Sequence, residues 1–243
     1  MIIRRPAVAG SFYPDDPREL RASIRGSYTH PLGPGSVPPS AEERKGVMAC
    51  VCPHAGYIYS GPVAAHSYLW LSSLRRPELV VIVGPNHYGV GSGISTYREG
   101  EWATPLGNVS VDSEAARRIV ELTGLVDYDP ESQRREHSLE VQIPFLQEIY
   151  RDFKILPICL SFQDIDTAKE LGRGLSVLLR GRNAILIASS DLTHYEPVSV
   201  AREKDTALLE TVQRLDIEAF YGVLEERRVT ACGYGAIATV MET

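Results

Sequence analysis

The sequence predicts an α/β fold in which a mostly parallel or mixed sheet is covered by helices on both faces. Three observations predict it. Apolar runs of strand length alternate along the chain with segments of helical period. The strand runs are continuously apolar, which is typical of a sheet buried on both faces. With 243 residues, the chain is long enough to fill one core, and we expect a single domain over residues 1–243.

The elements follow in order. Asp16 and Pro17 predict a helix that ends near Arg25, because an aspartate cap and a first-turn proline favour a helix start. Residues 30–40 hold four prolines, and we interpret them as a surface loop. The remaining pattern predicts strands at 47–52, 79–84, 154–160 and 184–189, and helices at 62–74, 113–124, 138–150, 164–181, 200–215 and 217–228. The sequence ends inside another helical pattern, so we expect that a C-terminal helix or strand is truncated.

Composition and charge exclude several functional classes. Asp and Glu number 31 against 25 Lys and Arg, and the basic residues form no run, so nucleic acid is not an expected partner. The apolar runs are far shorter than the ~20 residues of a membrane span, and the first residues lack a secretory signal. We therefore expect no membrane association and a cytoplasmic location. Four cysteines are too few for a disulfide framework.

Histidines follow three of the predicted strands. His54 and His87 each come just after a strand, and Asp191 and His194 follow a third. The carboxyl ends of parallel strands meet at one edge of a sheet, so these side chains are expected in one site. A single histidine after a strand is more often structural, but three at equivalent positions favour a shared site. Two histidines with one soft or anionic residue are a recurring ligand set for a redox-active or Lewis-acid metal.

Cys232 is the predicted third member of this site. It precedes a helical run, and a helix N-terminus stabilises a thiolate, which serves metal ligation or nucleophilic attack. Cys50, Cys52 and Cys159 lie in apolar strands and are interpreted as core residues.

Polar residues beside these candidates have two interpretations. His137 precedes Ser138, the expected N-cap of the 138–150 helix, so it either lines the site or supports the cap. Asp191 and His194 are three residues apart, and we expect them to orient one another or to act as an acid/base pair.

Seven motifs resemble those of the Memo family, whose prokaryotic members are called AmmeMemoRadiSam system protein B. The motifs are PAVAGSFYP (6–14), PHAGYIYSG (53–61), GPNHYG (84–89), WATPLGNVSVD (102–112), EHSLEVQIPFLQ (136–147), SSDLTHY (189–195) and CGYGAI (232–237). They occur in the family's order and cover nearly the whole chain. The resemblance implies a class III extradiol dioxygenase-like fold; those dioxygenases hold iron with two histidines and a carboxylate and use a further histidine as acid/base.

Carried over by motif, the resemblance implies that His54, His87 and Cys232 are metal ligands and that His194 is the acid/base. A cysteine stands where the dioxygenases have a carboxylate. This departure argues against ring-cleaving chemistry, because a thiolate changes the charge donation to the metal and its oxidation risk. The resemblance implies iron or copper and a redox role, and the thiolate in the ligand set also admits zinc. It also implies a pathway link to a radical-SAM protein and an AMMECR-domain protein.

We therefore predict a metal-binding redox protein of unknown substrate, with a metal-dependent oxidoreductase or dioxygenase-like enzyme as the activity to test. The predicted catalytic residues are His194, Asp191 and Glu136, and the predicted ligand pocket is formed by Tyr13, Asn86 and His137. Two alternatives remain open. One is a module that binds a small molecule, a peptide or a partner protein in the same cleft without turnover. The other is a cysteine hydrolase that uses Cys232 with His194 and Glu136.

Overall fold

A computed structural model of the protein describes residues 2–38 and 48–243. The end of the expected proline-rich loop and Val47 of the first predicted strand lie outside the described residues. The strands are β1 (Ile3–Arg4), β2 (Met48–Cys52), β3 (Leu79–Pro85), β4 (Ile94–Thr96), β5 (Glu101–Thr104), β6 (Gly107–Ser110), β7 (Asp127–Tyr128), β8 (Lys154–Leu160) and β9 (Ala184–Ser189). The helices are α1 (Pro17–Thr29), α2 (Tyr57–Ser72), α3 (Ser113–Thr123), α4 (Pro130–Gln133), α5 (Gln142–Ile149), α6 (Ile165–Leu179), α7 (Val198–Gln213), α8 (Ile217–Glu226) and α9 (Tyr234–Glu242).

The main sheet has six strands in the order β2-β9-β3-β8-β4-β7. Strands β2, β9, β3 and β8 run parallel, whereas β4 is antiparallel to β8. The prediction of a mixed α/β fold is confirmed. Because the four parallel strands point the same way, the segments that follow them emerge at one edge of the sheet. A smaller sheet of order β1-β5-β6 was not predicted, since its strands have only two to four residues.

Helices cover both faces of the main sheet, as the continuous apolar strands predict. In β3, Val80 and Ile82 face a core that α1, α2 and α5 complete. The alternate residues Val81 and Val83 face a second core, completed by α3, α6 and α9. All four side chains are fully buried. Each buried valine or isoleucine contributes about 1.5–3 kcal/mol relative to an exposed one, so neither face of the strand can turn to solvent.

Several helix boundaries differ from those predicted. Asp16 caps α1 as expected, but the helix continues to Thr29. Helix α2 begins at Tyr57, so Pro62 lies inside it instead of opening it. Helix α3 begins at Ser113 as predicted, and its cap is Asp112, whose side chain accepts the N–H of Ala115.

Ser138 does not cap a helix, because α5 begins only at Gln142. Residues 138–141 form a turn in which the N–H of Val141 donates to the carbonyl oxygen of His137 at 3.0 Å. The Ser138 hydroxyl donates instead to the carbonyl oxygen of Pro85 at 3.0 Å. The segment before α5 is therefore fastened to the end of β3. No helix in residues 2–38 and 48–243 has the length and apolar character needed to cross a membrane.

Candidate functional site

The structure brings together the side chains of His54, His87 and Cys232. His54 follows β2, His87 follows β3, and Cys232 lies just before the N-cap of α9. One ligand atom from each residue lies within 4.8 Å of the other two. The Cys232 Sγ is 3.1 Å from the His54 Nε2. The two imidazole rings meet edge to face, with their centroids 5.1 Å apart.

Neutral hydrogen bonds orient His54. Its Nδ1 lies 2.9 Å from the Oγ of Ser189, which donates its own proton to the carbonyl oxygen of Ser138 at 2.6 Å. The same Oγ accepts the Gln142 Nε2–H at 2.8 Å. Because the single hydroxyl proton is already used, the His54 Nδ1 must donate to Ser189. The Nε2 of His54 therefore faces the Cys232 sulfur.

A carboxylate orients His87. The His87 Nδ1 lies 2.9 Å from Glu136 Oε1, and the His87 backbone N–H donates to Oε2 at 2.7 Å. A carboxylate only accepts, so Nδ1 donates and the Nε2 faces the site. Burial raises the pKa of Glu136, but hydrogen bonds from His87 and Ser138 and the charge of His87 outweigh it and lower the pKa to about 2. Glu136 is thus a fully buried anion behind His87.

Between Cys232 and His87, the proton lies mainly on the imidazole of His87. Burial raises the pKa of Cys232, but its hydrogen bonds with His54 and His87 outweigh this effect and lower the pKa to about 6. Burial lowers the pKa of His87, whereas Cys232 and Glu136 raise it to about 10. The backbone N–H of Asp191 also donates to the Cys232 Sγ at 3.3 Å. With no ion bound, the site at neutral pH is a thiolate beside an imidazolium.

A glycine lets Cys232 approach the end of β9. A Cβ added at Gly233 would lie 2.3 Å from the carbonyl oxygen of Ser189, a distance that no real side chain allows. The Gly233 N–H donates to the Ser190 Oγ at 2.9 Å. The start of α9 is therefore tied to the same strand that supplies Ser189 to His54.

Arg4 fastens the loop that carries Glu136. This buried arginine forms an ion pair with Glu140 at 2.5 Å and donates to the carbonyl oxygens of Gln133 at 3.0 Å and Glu136 at 2.6 Å. Its guanidinium lies over the Trp102 ring, 4.0 Å from the centroid. A planar cation with several donors suits this position, because it satisfies three acceptors and stacks on an aromatic face. The short β1 strand thus sets the position of His87 through Glu136.

Asp191 and His194 have separate partners and do not pair with each other. Asp191 Oδ1 accepts the backbone N–H of His54 at 2.8 Å, and its Oδ2 lies 4.0 Å from the His54 Nε2. The His194 Nδ1 donates to the carbonyl oxygen of Thr230 at 2.8 Å, so its Nε2 is the nitrogen that can take up a proton. Asp191 borders the three ligand atoms, whereas His194 lies on the loop that follows β9.

His137 lies against the site, as one of its two interpretations expects. Its ring stacks on His87 with centroids 4.4 Å apart and meets His54 edge to face at 5.4 Å. Phe12 contacts the same ring at 4.7 Å. Burial lowers the pKa of His137 to about 4. The ring is therefore neutral at physiological pH and forms one wall of the site.

Two residues predicted in the ligand pocket have other roles. Tyr13 lies in the core, 3% exposed, where its hydroxyl donates to Glu140 Oε1 at 2.6 Å. The Asn86 side chain holds its own loop: it donates to the carbonyl oxygen of Val90 at 2.8 Å and accepts the N–H of Gly89 at 3.0 Å. Their polar atoms are committed to these partners, so neither residue offers a free group to a ligand.

Sequence reasoning missed Ser189 and Gln142, which orient His54. Each stands as a polar residue in an apolar segment, Ser189 at the end of β9 and Gln142 at the start of α5. Both are buried. A buried polar side chain needs a partner, so a polar residue in an apolar strand or helix next to a candidate site was the available signal.

The geometry does not assemble the residue set of the alternative cysteine hydrolase. That interpretation pairs Cys232 with His194 and Glu136, but Glu136 is bonded to His87, and His194 to Thr230. The imidazoles at the sulfur are those of His54, whose Nδ1 meets a serine hydroxyl, and His87, whose Nδ1 meets Glu136.

A family model and the most similar known proteins match the same family over nearly the whole chain. Residues 4–243 match the family model described as Memo-like protein. A "MEMO1 family protein" of Nitrosopumilus maritimus is 48% identical over 241 residues, which are 99% of this chain and 86% of the relative. Those of Sulfolobus acidocaldarius and Aeropyrum pernix are 48% identical over 246 residues and 47% over 249, covering 99% and 100% of this chain and 87% and 88% of the relatives.

Among solved structures, an uncharacterized protein from Escherichia coli K12 is similar with a TM-score of 0.50 and 18% identity. The match covers 73% of this chain and 80% of that one. At this identity the likeness concerns the fold alone. Membership rests on the sequence matches, which span nearly the whole chain at close to half identity: this protein belongs to the Memo family.

Proposed function

We propose that this protein is a metal-binding redox protein in which His54, His87 and Cys232 hold an iron or copper ion. One observation carries the proposal: an Nε2 atom of each histidine and a thiolate converge within 4.8 Å, while both Nδ1–H groups are used elsewhere. Three lone pairs aimed at one point repel each other unless a proton or a cation lies between them. Imidazole with thiolate suits iron, copper or zinc.

The second partners of the ligands suit a metal as well. Metal-binding histidines usually donate their other ring N–H to a carboxylate, a carbonyl or another oxygen, which fixes the tautomer and raises ligand basicity. Glu136 fulfils this role for His87, and Ser189 does so for His54. A bound iron or copper ion would supply the redox chemistry.

Protein groups border the side of the site left open by three ligands. Asp191 lies near the His54 Nε2, and the His87 and His137 side chains are partly exposed. We infer that a small ligand or dioxygen enters here. In this proposal Asp191, whose Oδ2 lies 4.0 Å from the His54 Nε2, orients the ligand, and His194 accepts or donates a proton.

Metal content measured after anaerobic purification tests the proposal. Wild-type protein and the control Cys159→Ser, which changes a buried thiol of β8, are expected to bind the same number of iron or copper ions. Cys232→Ser is expected to bind one ion fewer while keeping its circular dichroism spectrum and melting temperature. The proposal is wrong if the wild-type protein binds neither ion more tightly than micromolar.

A second candidate function is recognition of a peptide or partner protein in the same cleft. Exposed tyrosines favour it: Tyr59, Tyr88 and Tyr195 each follow one of the strand ends that form the site, and they are 77%, 45% and 104% exposed. Such side chains offer contact surface to a larger ligand. Peptide capture that persists in chelator and in His87→Ala would favour this function over the metal-dependent one.

A further inference from the structure

A pair of sulfur atoms lies on β2, the strand that leads to His54 of the candidate site. Cys50 and Cys52 are two residues apart on β2, an edge strand of the main sheet, so their side chains share one face. Their sulfur atoms are 3.6 Å apart, and both thiols are free. Cys52 is fully buried, whereas Cys50 is only partly buried.

Packing alone does not account for this arrangement. Cys159 shows what a packing cysteine looks like on the neighbouring part of the sheet: it is buried among apolar side chains of the same core. Cys50 and Cys52 differ from it in two respects, because their sulfurs lie 3.6 Å apart and because Cys50 lies at the border of the core, only partly buried. Paired thiols are a chelating unit, and thiolates select soft cations such as Cu(I).

The spacing fits one ion bound by both sulfurs. With metal–sulfur bonds of about 2.3 Å, sulfurs 3.6 Å apart enclose an angle of about 100° at the ion. An angle of this size is that of a three- or four-coordinate ion, so the bound ion takes at least one further ligand and the two sulfurs need not move apart.

We propose that Cys50 and Cys52 form a dithiolate site for a soft cation of the Cu(I) class, separate from the His54, His87 and Cys232 group. Each thiol releases its proton to solvent when the ion binds, and the oxidation state of the ion does not change. The proposal does not depend on the proposed function, since the two sites share no ligand atom.

Titration with Cu(I) under anaerobic conditions, against a colorimetric Cu(I) chelator, tests the pair. The Cys232→Ser background removes the thiolate of the first site. We expect Cys232→Ser to bind one Cu(I), Cys50→Ser/Cys232→Ser to bind none, and the matched control Cys159→Ser/Cys232→Ser to bind one. Absence of binding in Cys232→Ser, or equal binding in the Cys50→Ser double variant, would overturn the proposal.

A trivalent arsenical, phenylarsine oxide, gives a second and independent readout, because it requires two neighbouring thiols and the first site offers one. Wild-type protein, Cys232→Ser and Cys159→Ser are expected to bind one equivalent, and Cys50→Ser none. Wild-type protein that binds no arsenical rejects the pair whether or not the variants fold. Metal binding by the first site is measured separately in Cys50→Ser, so failure of one site is distinguishable from failure of the other.

Discussion

The two histidines of the candidate site are held in the same way by different chemistry. Each has its Nδ1–H bonded to an oxygen and its backbone N–H bonded to a carboxylate. Three charged residues hold the Nδ1 side of His87, directly or through one another, and we call them the charged support: Arg4, Glu136 and Glu140. Behind His54 lie uncharged groups, the neutral support: Ser138, Gln142 and Ser189.

The difference separates two tasks. Both supports fix which nitrogen faces the site, so direction requires only a satisfied hydrogen-bond network. The charged support also changes proton affinity, because Glu136 contributes to the raised pKa of His87. We infer that the neutral support determines geometry alone, whereas the charged support determines geometry and basicity. The predictions below test this division.

The largest expected effect is on stability, from Arg4→Leu. The substitution leaves the Glu140 carboxylate buried without its cation and frees the loop before His87. Breaking a buried ion pair on one side costs about 3–5 kcal/mol in the free energy of unfolding, which urea denaturation measures. Arg4→Lys, which keeps a cation beside Glu140, should recover part of the loss. A cost below about 1 kcal/mol would mean that the charged support does not hold the loop.

The next effect concerns the Cys232 thiol in the metal-free protein. Because its pKa is lowered to about 6, the thiolate appears as pH rises through about 6, where an ordinary cysteine would ionise near 8.5. Absorbance at 240 nm measures this, with Cys232→Ser subtracted. His54→Gln and His87→Gln should each move the midpoint toward higher pH, since each removes a hydrogen bond to the sulfur. A wild-type midpoint above 8 would contradict the thiolate.

Glu136→Gln separates charge from shape in the charged support. The amide keeps the size of the side chain but removes the negative charge, so His87 loses basicity. Substitution of such partners typically reduces metal affinity 10–100-fold. A competition titration with the ion that the wild-type protein binds measures this metal affinity. Unchanged affinity would show that basicity at His87 is not needed.

The strand ends, and the proximity of His54, His87 and Cys232, were predictable because the signals are local. Each histidine directly follows an apolar strand, and parallel strands bring such positions together. The supports were not predictable, because their partners are far apart in sequence: Arg4 and Glu140 are separated by 136 residues. A charged residue near the N-terminus reads as a surface residue until the fold buries it against Trp102. Tyr13 was misplaced for the same reason, since its partner is also Glu140.

Ser189→Ala tests the neutral support where it contacts the ligand. It removes the acceptor of the His54 Nδ1–H, so the ring no longer has a preferred tautomer. We expect metal affinity to fall about tenfold, the lower end of the range for such partners. The pKa of the thiol should change little, because no charge is removed. A loss of metal affinity equal to that of Glu136→Gln would show that the two supports do not differ in their effect on metal binding.

The smallest effect on metal binding is expected from Gln142→Leu. Gln142 donates to Ser189 and to the carbonyl oxygen of Pro53, and it accepts the Tyr68 hydroxyl. Removing it leaves the buried Tyr68 hydroxyl short of a partner, which costs about 1–3 kcal/mol in the free energy of unfolding. The Ser189 proton still goes to Ser138, however, so the His54 Nδ1 must still donate and the Nε2 still faces the ion. Stability should therefore fall while metal affinity stays within a few-fold of wild type. If Gln142→Leu weakens metal binding as much as Ser189→Ala, the single proton of Ser189 does not determine the orientation of His54.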